Sequence, residues 1–442
     1  MKTLSALTLA AIAFAAVADT APPDPVSDML AQAQAKHMPV LVDFHAPWCY
    51  SCYFMASHVQ TGSDWDRAKR QMLTMEMDAD SPEGAKRMAD WHVKALPSYV
   101  LLGPDGQELG RMIAEHTRAE FYKWLFEAAA QGNTLDALKA KVIDHSGASV
   151  ASARDVLRAY HARFDGDGGL KWFMALAPKT RSAVASDAQN ALWISRLELL
   201  RATAATDGPA CAKAAEPVLS GDLGCERPYE LDRVVECTKS GVPQEARQAL
   251  LQPQADYMRA LFEKRVLSDA SRCADERSVV LSTADLYAAL KDKAAEQAVL
   301  DRAITDLKAR VGTDLRKDRN LSDNLRVYLD RAGRTAELDQ LFPQLIAAWP
   351  DDYVYNYRFA KSLAARGKNA EALPYFEAAA QKAYGANALH NAELRAKTLK
   401  ALNRPDEARA VLAKALKDNG PWFPDDAAKL KAMLDELGPA KG

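Results

Sequence analysis

The chain is 442 residues long, 48% hydrophobic and 26% charged. That length exceeds a single core, and the composition excludes a disordered chain, so two or three domains are expected. A formal charge of −2 gives no electrostatic ground for nucleic acid or an anionic membrane as a partner.

The N-terminus reads as a secretory leader. Lys2 is a short positive region, Leu4 to Val17 is apolar and alanine-rich, and Ala16-Val17-Ala18 forms a small-residue cleavage site before Asp19. The apolar run falls short of the roughly 20 residues a spanning helix needs. No cysteine stands at the cleavage point to carry a lipid. The expectation is therefore a periplasmic or secreted protein, cleaved after Ala18, with no membrane span thereafter.

A proline-rich lead-in follows, from Thr20 to Val26. Ser27 to Lys36 is expected to be helical with Ser27 as its cap. Pro39 to Phe44, PVLVDF, is a short apolar run of the kind found in a buried central strand. A helix begins near Cys49 and runs through Met55 to Val59. Gln71 to Met77 reads as a second strand, and Ser81 to Val93 as a helix capped by Ser81. Ser98 to Leu102 is a third strand. Gly103-Pro104-Asp105-Gly106 is a turn, and Glu108 to Ile113 returns as a hairpin partner. Thr117-Arg118-Ala119-Glu120 is a capping box that opens a last helix to about Gln131. This order describes a small α/β domain.

Beyond Gly132 strand signals nearly vanish. Asp155 to Phe164 and Ala188 to Thr203 have helical patterns. Three similar segments begin at Leu329, Leu363 and Leu399, each with a turn residue and then an alanine-rich helix. Their turn residues are Gly333, Gly367 and Asn403. The spacing is that of tetratricopeptide-like helix pairs, which stack into a curved solenoid. The divisions expected are a leader over 1–18, an α/β domain over 19–131, a helical region over 132–280 and helical repeats over 281–442.

Six cysteines are present. Cys211, Cys225, Cys237 and Cys273 lie in the middle region, and in an exported chain an even count suggests disulfides. Four cysteines allow three pairings. Proximity alone favours Cys211 with Cys225 and Cys237 with Cys273.

The other two carry the chemistry. Trp48-Cys49-Tyr50-Ser51-Cys52 directly follows the apolar strand. Thiol–disulfide exchange needs a thiolate, and the first turn of a helix stabilises one through free N–H groups and the dipole. A second cysteine three residues on lies one turn along the same face. It can attack a mixed disulfide and release the substrate. Cys49 is thus the nucleophile and Cys52 the resolving thiol.

VLVDFHAPWCYSC resembles the active-site strand, turn and helix of the thioredoxin family, and Ala95-Leu96-Pro97-Ser98 stands where that family carries its cis-proline loop. The resemblance covers about Ser27 to Gln131 and is nearest to the domains of periplasmic thiol:disulfide interchange proteins. It implies an α/β thioredoxin-like fold with a cis Pro97 against the cysteines. It also implies that the backbone of Leu96 is free to pair with an extended substrate and that Trp48 packs beside the site. Asp43 matches the buried acid beneath the resolving cysteine, a general base for Cys52 with a pKa raised by desolvation. The sequence departs from the family at His45, where tryptophan is usual, at Pro47, and at Thr74, near where a lysine often accompanies the acid. Tyr50-Ser51 offers neither a proline nor a cation between the cysteines, which tilts the reading toward a reducing or intermediate potential.

Other signals have plainer readings. Cys49, Cys52, Met55 and His58, with Met72, Met75 and Met77, could form a soft copper(I) site, but methionines at such positions are more often core fillers. No zinc-ligand spacing or phosphate-binding glycine loop occurs. Asp165-Gly166-Asp167-Gly168-Gly169 resembles a calcium loop but has Leu170 and Leu176 at two required positions, so a plain turn is expected. His37, His92, His116, His145, His161 and His390 are scattered without evident partners. The expected function is dithiol–disulfide exchange with protein thiols or disulfides, or with a membrane redox partner, using no cofactor beyond the cysteine pair. The helical region would then select the partner. The rival readings are a helical interaction scaffold with a non-catalytic thioredoxin-like domain, and a copper(I)-handling protein.

Overall fold

The computed structural model describes residues 25–268 and 271–438. The expected leader, and the lead-in as far as residue 24, lie outside the described residues. Pro25 and Val26 open α1 (Pro25–Lys36), so the helix starts two residues before Ser27, and Ser27 is not its cap. Next come β1 (Val40–His45), α2 (Tyr50–Phe54), α3 (Gly62–Gln71), β2 (Leu73–Asp78), α4 (Pro82–Asp90), β3 (Ser98–Leu102), β4 (Glu108–Ile113) and α5 (Arg118–Gln131). A π-helical turn, Met55–Val59, prolongs α2. The α3 helix was not foreseen.

The sheet order is β2-β1-β3-β4, with β1 parallel to β2 and the other pairs antiparallel. Alternation along β1 decides what each face holds. Val40, Val42 and Phe44 pack with Val26, Ala33, Val93, Val100 and Leu102. Leu41 lies on the other face with Met55, Tyr99, Phe121 and Leu125. Asp43 shares that second face by register, opposite Tyr99. Each of these fully buried large apolar side chains contributes about 1.5–3 kcal/mol. The helix ends follow the sequence signals. Ser81 accepts from the Gly84 N–H to cap α4. Thr117 and Glu120 form the capping box of α5, which stops at Gly132 in the left-handed region, φ 60°.

From Leu135 to Glu436 the regular structure of the described residues is helical. The helix Gly147–Ala162 packs on β4, and Arg163 pairs with Glu108 at 2.7 Å. Asp165 caps the next helix, Gly166–Ala175, by accepting from Gly168 N–H, so this stretch is a helix start rather than a plain turn. Further along, helices come in consecutive pairs. Glu276–Ala289 packs with Lys293–Val311, and Arg319–Arg331 with Thr335–Ala348. Val354–Ala365 packs with Asn369–Ala380, and Gly385–Ala401 with Pro405–Asn419. The turns inside these pairs hold Lys291, Gly333, Gly367 and Asn403 at φ 63°, 67°, 76° and 57°. This left-handed requirement explains the glycine and asparagine spacing. One continuous apolar core runs from Phe262 to Phe376.

The four middle cysteines pair as Cys211–Cys237 and Cys225–Cys273, not by sequence proximity. Cys211 stands in the first turn of the helix Gly208–Ser220, and Cys237 ends the helix Arg227–Cys237. The two helices pack as neighbours, and doubling back sets the start of the first beside the end of the second. Cys225 lies in the connection at the opposite end and meets the loop that precedes Glu276–Ala289.

Candidate redox site

The chain leaves β1 through Ala46-Pro47-Trp48 and enters α2 with Cys49 as its N-cap. The Cys49 sulfur accepts the backbone N–H of Cys52 at 3.1 Å. Cys49 and Cys52 are joined as a disulfide, with Cα atoms 5.2 Å apart. Cys49 and Cys52 cluster with Ala46, Ala79 and Leu96, and the Leu96–Pro97 peptide is cis. When the disulfide is reduced, the N-capping position of Cys49 supplies N–H groups to its thiolate.

Asp43 lies on β1 with its Oδ1 enclosed and without a hydrogen-bond partner, while Oδ2 accepts from the Gln60 side chain at 2.7 Å. Burial raises the Asp43 pKa to about 6, against the lowering effect of the Gln60 hydrogen bond. Gln60 ends the π-helical turn and was missed in the sequence, because a polar residue at a helix end carries no signal of its target. Thr74 does not stand beside this acid: the β2 residue in register with Asp43 is Glu76.

The indole Nε1 of Trp48 donates to Asp80 Oδ2 at 2.9 Å. Burial lifts the Asp80 pKa to about 6 although this hydrogen bond lowers it. The structure does not gather the residues of the copper reading. Met55, Met72 and Met77 are core residues, Met55 Sδ accepts from His116 N–H, and His58 turns outward to Asp318 at 2.8 Å. Several histidines thought partnerless have partners: His161 meets Glu230 at 3.1 Å, His390 meets Asp426 at 3.2 Å, and His116 Nε2 lies 2.9 Å from the Ile113 carbonyl.

The family model for a thioredoxin-like domain matches residues 26–129. Residues 26–129 form a thioredoxin-like domain. A thiol:disulfide interchange protein, TxlA of Synechococcus elongatus, is 34% identical over 112 residues, covering 25% of this chain and 53% of the relative. The thiol:disulfide interchange protein DsbD 2 of Pseudomonas aeruginosa is 31% identical over 88 residues, covering 20% of this chain and 15% of the relative. A solved thioredoxin from Thermus thermophilus is 30% identical, covering 24% of this chain and 86% of that one, with a TM-score of 0.23. The chain thus spans about half the length of the Synechococcus relative. The matched residues include the bonded Cys49–Cys52 pair, two cysteines three positions apart.

This thioredoxin-like domain does not present its redox helix to solvent. Cys49 is 3% exposed and Cys52 8%. Asn320 Nδ2 donates to the Tyr50 carbonyl at 3.0 Å, and Arg358 Nη2 donates to the Trp48 carbonyl at 2.9 Å. The Arg277 guanidinium lies 3.5 Å from the Tyr50 ring centroid, and that of Arg319 4.2 Å from the Tyr53 centroid. Behind them, buried Asp323 accepts from Arg277 at 2.6 Å, Arg326 at 2.8 Å and Arg358 at 2.5 Å. Those three cations hold its carboxyl well below the usual range although burial alone would raise it. None of these helical-region residues was singled out from the sequence.

Proposed function

We propose that this chain is an exported thiol–disulfide oxidoreductase that exchanges the Cys49–Cys52 dithiol and disulfide with protein substrates or a redox partner. The observation that carries it is the Cys49 sulfur at the N-cap of α2, accepting the Cys52 N–H and bonded to the Cys52 sulfur. The leader over 1–18 supports export, as a reading of sequence. Among the described residues no helix is long and apolar enough to cross a membrane. The remainder divides into a thioredoxin-like domain over 19–131, a disulfide-braced helical region over 132–280 and tetratricopeptide-like helix pairs over 281–442, the last two serving partner recognition.

In the reducing direction the Cys49 thiolate attacks one sulfur of a substrate disulfide. The substrate S–S bond breaks, and its other sulfur leaves as a thiolate that takes up a proton. Asp43 then accepts the proton of the Cys52 thiol. The Cys52 thiolate attacks Cys49 Sγ, which releases the second substrate thiol and leaves Cys49–Cys52 oxidised. Two electrons pass from the dithiol to the substrate, and the same steps reversed oxidise a substrate dithiol. Trp48 flanks the approach, and the Leu96 backbone beside Pro97 pairs with an extended substrate segment, as in β-strand addition.

The test is the Cys52→Ser variant in cells. It should accumulate mixed disulfides on Cys49 that a reductant dissolves, and whether the trapped partners are oxidants or clients tells the direction of electron flow. A well-expressed variant that traps nothing, together with no turnover of any disulfide by the reduced wild-type chain, would leave the helical-scaffold reading in its place.

A further inference from the structure

The nucleophile must meet a sulfur from outside, yet Cys49 is more covered than the resolving Cys52. The residues that flank Cys49 are held by the N-terminal ends of the first helices of successive pairs. The start of Glu276–Ala289 grips Tyr50 through Arg277, that of Arg319–Arg331 grips the Tyr50 carbonyl through Asn320, and Val354–Ala365 grips the Trp48 carbonyl through Arg358. The start of Gly385–Ala401 closes the row. A Cβ at Gly385 would lie 1.8 Å from the Asp80 carbonyl oxygen, and the neighbouring Tyr384 hydroxyl donates to Asp78.

We infer that these helix ends form a movable cover over the redox pair, and that a protein substrate reaches Cys49 only when the cover parts from Trp48, Tyr50 and Asp80. This rests on the oxidoreductase reading and adds its regulation. The nature of the contact suits a cover that parts. It is built on hydrogen bonds and cation–π contacts rather than a shared apolar core: the thioredoxin-like cores and the repeat core are separate clusters. Polar groups can exchange such partners for water at modest cost. The substrate's apparent affinity is then reduced by the fraction of time the cover is open. A small disulfide needs only a narrow breach, whereas a polypeptide segment needs the space that the helix ends occupy.

The experiment uses the full reduced chain and two substrates, insulin and the small aromatic disulfide DTNB. Two variants open the cover from different ends: Arg358→Ala with Asn320→Ala removes two grips, and Gly385→Ala drives a methyl group against the Asp80 carbonyl. Insulin reduction should rise about tenfold in either variant, as for an open fraction going from about 1% to about 10%, while DTNB reduction stays within about twofold. In the reduced wild type, N-ethylmaleimide should label Cys49 far faster than a maleimide carried on a long polyethylene glycol chain. Equal labelling by the two maleimides overturns the cover. So does insulin turnover unchanged in both variants while DTNB is reduced, and in that case the oxidoreductase reading still stands. Failure of every form to reduce either substrate would overturn the oxidoreductase reading, and the cover with it.

Discussion

Arg358 donates through Nη2 to the carbonyl of Trp48 at 2.9 Å, joining two residues 310 positions apart at the position next to the nucleophile. Its other nitrogen, Nη1, donates to Asp323 at 2.5 Å. Asp323 is fully buried and also holds Arg277 and Arg326. Removing one partner from such a cluster leaves buried charges unpaired, typically at a cost of about 3–5 kcal/mol. Asp323→Ala should lower stability by that amount, read as a shift of the urea midpoint. The Asp323 contribution is present above the unfolded carboxyl pKa and is lost as pH falls through its depressed folded value. The variant and the wild type should therefore converge in strongly acidic solution. A loss under about 1 kcal/mol at pH 7 would contradict the role given to this carboxylate.

Asp43 has the opposite sign. Its unfolded pKa of 3.8 rises to about 6 in the fold. Between those values the folded chain holds a proton that the unfolded chain has released. Stability therefore falls as pH climbs through that window and stays lower above it. A rise of that size corresponds to roughly 2–3 kcal/mol. Asp43→Asn should stabilise the protein by about 2 kcal/mol at pH 7 and by little near pH 4, as measured by urea unfolding at both. The same variant should slow resolution of the mixed disulfide by about 10²-fold, the usual scale of a lost general base. A variant that destabilises at pH 7, or resolves at the wild-type rate, would contradict the assignment.

The thioredoxin-like part was legible because its signals are local. β3 and β4 and the start of α5 fall where the strand run Ser98–Leu102, the Gly-Pro-Asp-Gly turn and the capping box at Thr117 place them. The turn residues Gly333, Gly367 and Asn403 advertise their left-handed backbone, whereas Lys291 adopts the same conformation without doing so. The row of residues over the redox helix was not legible. Asn320, Asp323, Asn324 and Arg326 share the helix Arg319–Arg331 with the core residues Leu325, Tyr328 and Leu329. Such a pattern reads as an amphipathic helix with a solvated polar face. Here the polar face is also buried, against a domain more than 200 residues earlier. The cysteine pairing was hidden for a related reason: a doubled-back pair of helices brings together residues that proximity in sequence would separate.

Glu115 lies just beyond β4 and is 6% exposed. Burial raises its pKa well above the usual carboxylate value, partly offset by a hydrogen bond with Ser51. Asn320 Nδ2 donates to its Oε1 at 3.4 Å. By the same reasoning as for Asp43, wild-type stability carries a penalty that grows as pH rises above the unfolded value. Glu115→Gln keeps the shape and removes the ionisable group, so its stability should equal or exceed that of the wild type at pH 8. Glu115→Ala should lose about 1–3 kcal/mol by emptying the buried space and removing the hydrogen-bond partner of Ser51, while Asn320 keeps the Tyr50 carbonyl. Thermal melts at pH 5 and pH 8 separate the two variants, and a Gln variant that loses as much as the Ala variant would contradict a burial penalty on the Glu115 carboxylate.

The two middle disulfides should differ in both stability and access. Cys225–Cys273 closes 48 positions and Cys211–Cys237 closes 26. In the chain-entropy description the longer loop stabilises by about 0.5 kcal/mol more, each bridge being worth about 2–4 kcal/mol. The larger difference comes from position. Cys273 stands two residues before Asp275, whose carboxylate accepts from Tyr229 at 2.9 Å and lies 3.5 Å from the Tyr50 hydroxyl. Asp275 also caps the helix that carries Arg277. The Cys225–Cys273 bridge therefore anchors one end of the cover, whereas Cys211–Cys237 ties the C-terminal end of the helix Arg227–Cys237, whose first turn carries Tyr229. Replacing Cys225 and Cys273 with alanine should speed insulin reduction severalfold with DTNB reduction little changed. Replacing Cys211 and Cys237 should lower the melting temperature with no such gain. A gain of equal size from both replacements would mean that general loosening, rather than release of the helix end at Asp275, exposes Cys49.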